Sequence, residues 1–338
     1  MKRFGNLYSE IAEIDNVRRA FDNAQRGKRH YTEVQRINAD RERYVNDLYS
    51  MLQERRYSTS EYKIMTRNDT GKERTIYVLP FYPDRVVHHA VMQVLEPIWE
   101  KLLIRDTYSA IKGRGVHDGL RRIKEMLKDK EGTQYCLKMD VRKFYPNINH
   151  DIMKSLLRKK IKCEDALNLL DEIVDSAPGV PIGNYLSQYL GNLYLTYFDH
   201  WMKETVGAKY YARYCDDLVV FGSNKGWLHD VRERVDEYLY NQLRLGIKNN
   251  WQVFPTAVRG VDFLGYRFFG DKTLVRKSIA KRYKRRMREV ARHVWPTCPN
   301  VVMSYKGWLK YAGAKGLWNS YADNNVMASV AAAKREAE

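Results

Sequence analysis

Apolar residues recur three or four positions apart from the start of the chain to about residue 60, most clearly in RINADRERYVNDLYSMLQERRY, and this spacing predicts helices. The next stretch, YKIMTRNDTGKERTIYVLP, reads as a hairpin around Asn68-Asp69-Thr70-Gly71, closed by Pro80 and Pro83. Helical spacing returns in DRVVHHAVMQVLEPIWEKLL and, after Gly113 and Gly115, in GVHDGLRRIKEMLKD. The period then falls to two. In QYCLKMDV, residues Tyr135, Leu137, Met139 and Val141 share one strand face and Cys136, Lys138 and Asp140 the other, so Asp140 points away from the more apolar face.

Two helical segments follow, DIMKSLLRKKI and EDALNLLDEIVDSA, and then a Gly/Pro turn runs into one long apolar helix in GVPIGNYLSQYLGNLYLTYFDHWMKE. After it, RYCDDLVVFG predicts a hairpin with Asp216 and Asp217 at the turn. LHDVRERVDEYLYNQL is an amphipathic helix, GVDFLGYRFFG a Gly-bounded pair of strands, and the tail is basic and helix-rich. This order predicts an α+β fold with helices packed on one face of an antiparallel sheet, whose adjacent strands carry Asp140 and Asp216.

At 338 residues and 44% hydrophobic, with a mean hydropathy of −0.60, the chain reads as a soluble globular protein of two or three subdomains. No apolar run has the length of a membrane span, and the charged opening lacks the apolar stretch of a secretory signal, so a cytoplasmic location is expected. Cys136, Cys163, Cys215 and Cys298 form no CxxC pair, which argues for reduced structural thiols rather than a zinc site or a disulfide framework. The 59 Lys+Arg outnumber the 41 Asp+Glu, and the net charge of +18 attracts polyanions. Nucleic acid is the leading partner and an anionic membrane surface the weaker one.

Against that basic background, two adjacent acids need a reason. Asp is a favoured turn residue, and an ordinary hairpin accommodates both. Alternatively, carboxylates converging from adjacent strands make an oxygen-rich site for Mg²⁺, where two ions can activate a 3′-hydroxyl and stabilise departing pyrophosphate.

Longer motifs carry a family resemblance. MDVRKFYPNI (Met139–Ile148) resembles the first palm motif of reverse transcriptases, and YCDD (Tyr214–Asp217) their tyrosine-x-Asp-Asp motif. GKERTIYVLPFYPDRVVHHAVMQVLEPIWE is similar to the fingers segment of bacterial reverse transcriptases, and GVDFLGYRF to the primer grip; the likeness runs from about residue 40 to about 315. In PIGNYLSQ, Ile182 and Gln188 stand where most reverse transcriptases have a Gln before the Gly and a Pro after the Ser. Both match the Ile/Val/Leu-Gly-x-x-x-Ser-Gln signature of diversity-generating retroelement enzymes, whose thumb SYKGWLKYAGAKGL also resembles.

The resemblance implies a right-hand polymerase with N-terminal helices and fingers over residues 1–133, a palm over 134–270 and a basic helical thumb over 271–338. It makes Asp140, Asp216 and Asp217 the catalytic, metal-binding carboxylates, with the Val141 carbonyl as a further ligand for two Mg²⁺ ions, Mn²⁺ being a possible substitute. Lys72 and Arg74 match the residues that clamp the incoming dNTP, a task for which a guanidinium fork suits phosphate oxygens. Tyr145 matches the steric gate against a ribose 2′-hydroxyl, and Ile182 and Gln188 belong to the nucleotide site. Where the family commonly has a Lys proposed to protonate pyrophosphate, this chain has Trp251, with Lys248 nearby, and the general acid stays unassigned.

Lys277, Lys281, Arg282, Lys284, Arg285, Arg286 and Arg288, around Tyr283, form a charge run that is either a solvated helix face or, following a polymerase palm, a thumb helix tracking a template RNA–cDNA duplex. The diversity-generating resemblance further implies error-prone, adenine-mutagenic cDNA made from a template-repeat RNA, and a small basic accessory variability protein as partner. Two alternatives stand beside it: a retron or group II intron type reverse transcriptase of ordinary fidelity, and a non-catalytic RNA-binding scaffold with the same fold. Ile182 and Gln188 weigh against the first, the intact carboxylates against the second.

Overall fold

A computed structural model describes residues 3–69, 72–292, 299–322, 326–328 and 331; Thr70 and Gly71 of the first hairpin, the Lys72 side chain and Cys298 lie outside what is described. Four helices, α1 (Leu7–Ile11), α2 (Ile14–Ala24), α3 (Thr32–Ala39) and α4 (Arg41–Gln53), precede the antiparallel strands β1 (Lys63–Asp69) and β2 (Lys72–Val78). Next come α5 (Val86–Glu100), β3 (Thr107–Tyr108), α6 (Val116–Met126) and β4 (Tyr135–Asp140). Helices α7 (His150–Arg158), α8 (Glu164–Asp175), α9 (Ser187–Tyr194) and α10 (Thr196–Glu204) separate β4 from β5 (Tyr210–Tyr214) and β6 (Asp217–Gly222). Then follow α11 (Lys225–Leu243), β7 (Gln252–Pro255), α12 (Thr256–Arg259), β8 (Val261–Phe263), β9 (Tyr266–Phe269) and β10 (Lys272–Val275). The basic segment forms α13 (Lys277–Ala291), α14 (Pro299–Tyr311) and α15 (Lys315–Asn319). Among the described residues no helix is long and apolar enough to cross a membrane.

The chain divides into two units, the first made of Met1–Ala110, Val141–Gly207 and Arg234–Lys248, the second of Ile111–Asp140, Ala208–Glu233 and Asn249–Glu338. In unit 1, α2 buries Val17, Ala20, Phe21 and Ala24, the i, i+3, i+4, i+7 stripe of an amphipathic helix, and packs on α5. Removing a Val or Phe side chain fully from water is worth about 1.5–3 kcal/mol, so this stripe outweighs the helix's polar remainder. α5 is buried on almost every side, and the buried Asn16 amide ties the two helices by donating to the carbonyls of Ile11 and Ala90, both at 3.0 Å.

The expected single long helix is two. α9 ends at Leu195, which leaves helical geometry at φ −96°, ψ 0°, and the Thr196 hydroxyl donates to the Asn192 carbonyl at 2.9 Å. A threonine hydroxyl bonded four residues back competes with the helix's own N–H for that oxygen and bends the backbone.

Unit 2 holds the antiparallel strands β5, β6, β4 and β7, adjacent in that order, so both neighbours of β4 come from later in the chain. Leu137 and Met139 on one face of β4 are at most 1% exposed and Lys138 and Asp140 on the other are half-buried, whereas at the start of the strand the alternation fails, Tyr135 being half-buried and Cys136 fully buried. The Gly-bounded strand pair is three-stranded, because β10 joins β9 and β8. In α13 the buried residues are Tyr283, Met287 and Val290, which share a core with Val302 and Leu309 of α14. Tyr283, set among the basic residues in sequence, is therefore a core residue, with its hydroxyl donating to the Trp318 carbonyl at 3.1 Å.

Candidate active site

Strand pairing brings the carboxylates of unit 2 together. Asp140, the last residue of β4, is the register partner of Asp217, the first of β6, and Asp216 sits in the turn immediately before. That turn is possible because Cys215 adopts a left-handed backbone, φ 53°. Arg213 braces it from below: the side chain is fully buried and Nη1 donates to the Cys215 carbonyl at 3.0 Å. Sequence reasoning missed Arg213. A cation in a strand reads as solvent-facing in sequence, whereas here Arg213 is buried together with its neighbours Tyr211 and Ala212.

Asp217 is the electrostatic centre of the group. One carboxylate oxygen lies 3.5 Å from Lys138 Nζ, whereas Oδ1 is enclosed and has no hydrogen-bond partner among the described residues. Its pKa is raised to about 7, by burial first of all, with Lys138 and Arg276 pulling it down and Asp140 and Asp216 adding to the rise. Both cations are themselves tied to Asp262, Lys138 donating to its carbonyl and Arg276 Nε to its carboxylate at 2.6 Å. Among the described residues no group of three or more His, Cys, Asp or Glu is placed to hold a metal ion. The donor set of Asp140, Asp216 and Asp217 is nevertheless all oxygen, the kind a hard cation takes, and includes a buried carboxylate oxygen that no described residue satisfies.

The remaining sequence-predicted residues of the nucleotide site lie in unit 1. Val141 is fully buried and bridges to Ile247. Tyr145 opens a short 3₁₀ turn, Tyr145–Asn147, and its carbonyl accepts from the Val180 N–H at 2.9 Å. Its ring lies against Gly191 of α9, about 3.0 Å from where a Cβ would stand, so a side chain at 191 would displace it. Ile182 is half-buried and its carbonyl accepts from the Tyr77 N–H at 2.9 Å, which ties PIGNYLSQ to β2. Gly183 makes that approach possible at φ 125°, where an added Cβ would fall 2.5 Å from the Tyr77 carbonyl oxygen. The Ser187 hydroxyl closes the motif on the Pro181 carbonyl at 2.5 Å, and Gln188 is exposed on the first turn of α9. Arg74 is exposed on β2, in register with Arg67, and Lys72 opens the same strand.

On α13, Lys277, Lys281, Arg282, Arg285 and Arg288 are exposed and Lys284 is half-buried. Arg288 and Lys284 lie over the Tyr321 ring, and Arg285 and Arg286 pair with Glu289, which leaves the face predominantly cationic. In unit 2, the Trp251 ring carries Arg232 at 4.8 Å and His229 edge-on at 5.7 Å.

An antiparallel sheet with paired carboxylates at a strand end and at a hairpin turn, followed by a basic helix, defines the right-hand polymerase class. Its fold is similar to that of telomerase from Candida albicans in complex with a TWJ fragment of telomeric RNA (TM-score 0.52, 12% identity, 80% of this chain and 57% of that one). Telomerase from Candida tropicalis, in complex with the same kind of fragment, is similar at a TM-score of 0.51 and 13% identity, over 82% and 58% of the two chains. The family profile described as "Reverse transcriptase (RNA-dependent DNA polymerase)" matches residues 19–268, and the chain belongs to that family. Protein YkfC of Escherichia coli is 23% identical over 256 residues, 62% of this chain and 67% of YkfC. The group II intron-encoded protein LtrA of Lactococcus lactis is 25% identical over 132 residues, 36% of this chain and 22% of LtrA.

Proposed function

We propose that this chain is the reverse transcriptase of a diversity-generating retroelement, copying a template-repeat RNA into error-prone cDNA. The observation that carries the subtype is Ile182 with Gln188 in PIGNYLSQ: an apolar side chain stands where a Gln amide could hydrogen-bond the incoming nucleotide, on a backbone held to β2. In this reading residues 1–133, 134–270 and 271–338 are fingers, palm and thumb.

Asp140, Asp216, Asp217 and the Val141 carbonyl would hold two Mg²⁺ ions, or Mn²⁺ in their place, which when bound supply polarisation of the primer 3′-hydroxyl and of the departing pyrophosphate. The unpartnered Asp217 Oδ1 supports this assignment. Tyr145 excludes the ribose 2′-hydroxyl by bulk, Lys72 and Arg74 receive the triphosphate, and Ile182 leaves base selection without one hydrogen bond. The exposed cations of α13 follow the phosphates of the template RNA–cDNA duplex, a contact that weakens with salt. With Trp251 covered by Arg232, pyrophosphate protonation falls to no assigned residue. A small basic accessory protein would be the macromolecular partner.

The likeness to LtrA favours a second reading, an intron-type reverse transcriptase of ordinary fidelity. The experiment that decides is sequencing cDNA made by the purified chain on one RNA, with and without a small basic protein encoded beside it. Errors concentrated at template adenines support the first reading; a low error rate uniform over the four bases supports the second.

A further inference from the structure

Within unit 2, helix α14 ends on a glycine turn: Gly313 takes a left-handed φ of 62°, and the Ala314 N–H reaches back to the Leu309 carbonyl at 3.2 Å. The chain then continues as α15, and both helices and the turn line a cavity of about 520 Å³. Its apolar walls are Leu309, 2% exposed, Ala314 and the half-buried Trp318. Lys306, Lys310 and Lys315 also line it, and all three are exposed. Residues 290–322 contain no Asp or Glu, and no described carboxylate pairs with these lysines.

Charge and walls together select the occupant. Three cations without carboxylate partners call for an anion, but a phosphate alone leaves the apolar walls in water. A nucleobase needs a free aromatic face to stack on and hydrogen-bonding groups at its edge. The Trp318 ring is not free in this way, because Tyr283 stacks against it, centroids 6.1 Å apart and planes 18° from parallel, and Lys306 Nζ stands over it at 5.7 Å. Asn319 alone among the lining residues carries a side-chain amide. A peptide that sets a large apolar side chain between carboxylates meets both demands, the side chain covering the walls and the carboxylates reaching the lysines.

We propose that this cavity docks an acidic peptide segment of a protein partner, with one Phe or Leu side chain against Leu309, Ala314 and Trp318 and the flanking carboxylates on Lys306, Lys310 and Lys315. The ion pairs at the rim speed encounter and weaken with salt, while the seated side chain sets how long the complex lasts. Its acidic character distinguishes this partner from the small basic accessory protein. The inference goes beyond the polymerase reading and does not depend on it, since α14 and α15 form the cavity without the carboxylate-bearing strands.

The test titrates the full chain into fluorescein-labelled peptides Asp-Glu-Asp-X-Asp-Glu, with Phe, Leu or Ser at X, and into an uncharged Phe peptide in which Asn and Gln replace the acids, with anisotropy as the readout. The Phe and Leu peptides should bind about tenfold or more tightly than the Ser peptide. At low salt the uncharged Phe peptide should bind about tenfold more weakly than the acidic one. Asn319→Trp, which fills the cavity from an exposed position, should erase the preference for Phe over Ser. The combined Lys306→Gln, Lys310→Gln, Lys315→Gln variant should bind the acidic and uncharged Phe peptides alike. If Asn319→Trp lacks the parent's thermal transition, the lysine variant, changed only at exposed positions, decides. Equal binding of the Phe and Ser peptides, or folded variants that bind as the parent does, would overturn the proposal. Displacement of the Phe peptide by a short unstructured RNA whose own affinity falls equally in Asn319→Trp would assign the cavity to nucleic acid and overturn it as well.

Discussion

The Tyr77 N–H donates to the Ile182 carbonyl at 2.9 Å, so the backbone at position 182 is tied to β2 whatever side chain stands there. Ile182→Gln therefore changes the side chain with little change of position. One hydrogen bond to the incoming nucleotide is worth about 0.5–1.5 kcal/mol, and we expect misincorporation opposite template adenine to fall about three- to tenfold. Error frequency per template base on one RNA, for both proteins, measures this. Equal adenine error rates would locate the infidelity elsewhere.

Asp216→Asn takes one charge from the carboxylate group while keeping the side chain's shape. Primer extension should fall about 100-fold or more, while RNA affinity stays within about twofold, because a contact made in the transition state is lost from rate rather than binding. Chelation of divalent ions should reproduce the loss in the parent. A variant that extends primers at the parental rate sinks the metal assignment.

Because the Tyr145 ring is packed against Gly191, its bulk is held in place from behind. Tyr145→Ala should raise ribonucleotide use relative to deoxyribonucleotide by about tenfold or more, read as the ratio of the two kcat/KM values. An unchanged ratio assigns the gate to another residue.

His88 and His89 are pushed down to about 4 and about 3, by burial above all and with the Arg85 charge contributing to both. A histidine whose folded pKa lies below its unfolded value of 6.5 favours the folded state above 6.5, and the contribution drains away as the pH falls toward the folded value. His88 alone should cost the protein about 2 kcal/mol between about pH 7 and about pH 5. Urea midpoints at the two pH values test this, and a smaller pH dependence in His88→Gln identifies the source.

Much of the carboxylate site was legible because strands announce themselves by alternation. Leu137 and Met139 against Lys138 and Asp140 set the faces of β4, and the Asp216-Asp217 turn lies at the head of the strand that pairs with it. Arg213 was harder, since a strand cation reads as solvent-facing until the structure shows it bonded to the Cys215 carbonyl. The break at Leu195 was hidden by apolar residues on both sides, which satisfy helical periodicity whether or not the backbone bends. β10 was overlooked because Gly270-Asp271 looked like an ending, yet it is the turn that lets Lys272–Val275 pair with β9.

The stretches of unit 2 are interleaved in the chain with those of unit 1, and this bears on how the gene can be cut. β4 pairs on one side with β6 and on the other with β7, strands that arrive more than seventy residues later. A fragment ending before residue 249 keeps all three acidic residues but exposes the β7 edge of β4. Split versions of this enzyme will thus regain activity only when the second piece restores that edge, which makes the gap between α11 and β7 a natural place for a two-part reporter of assembly.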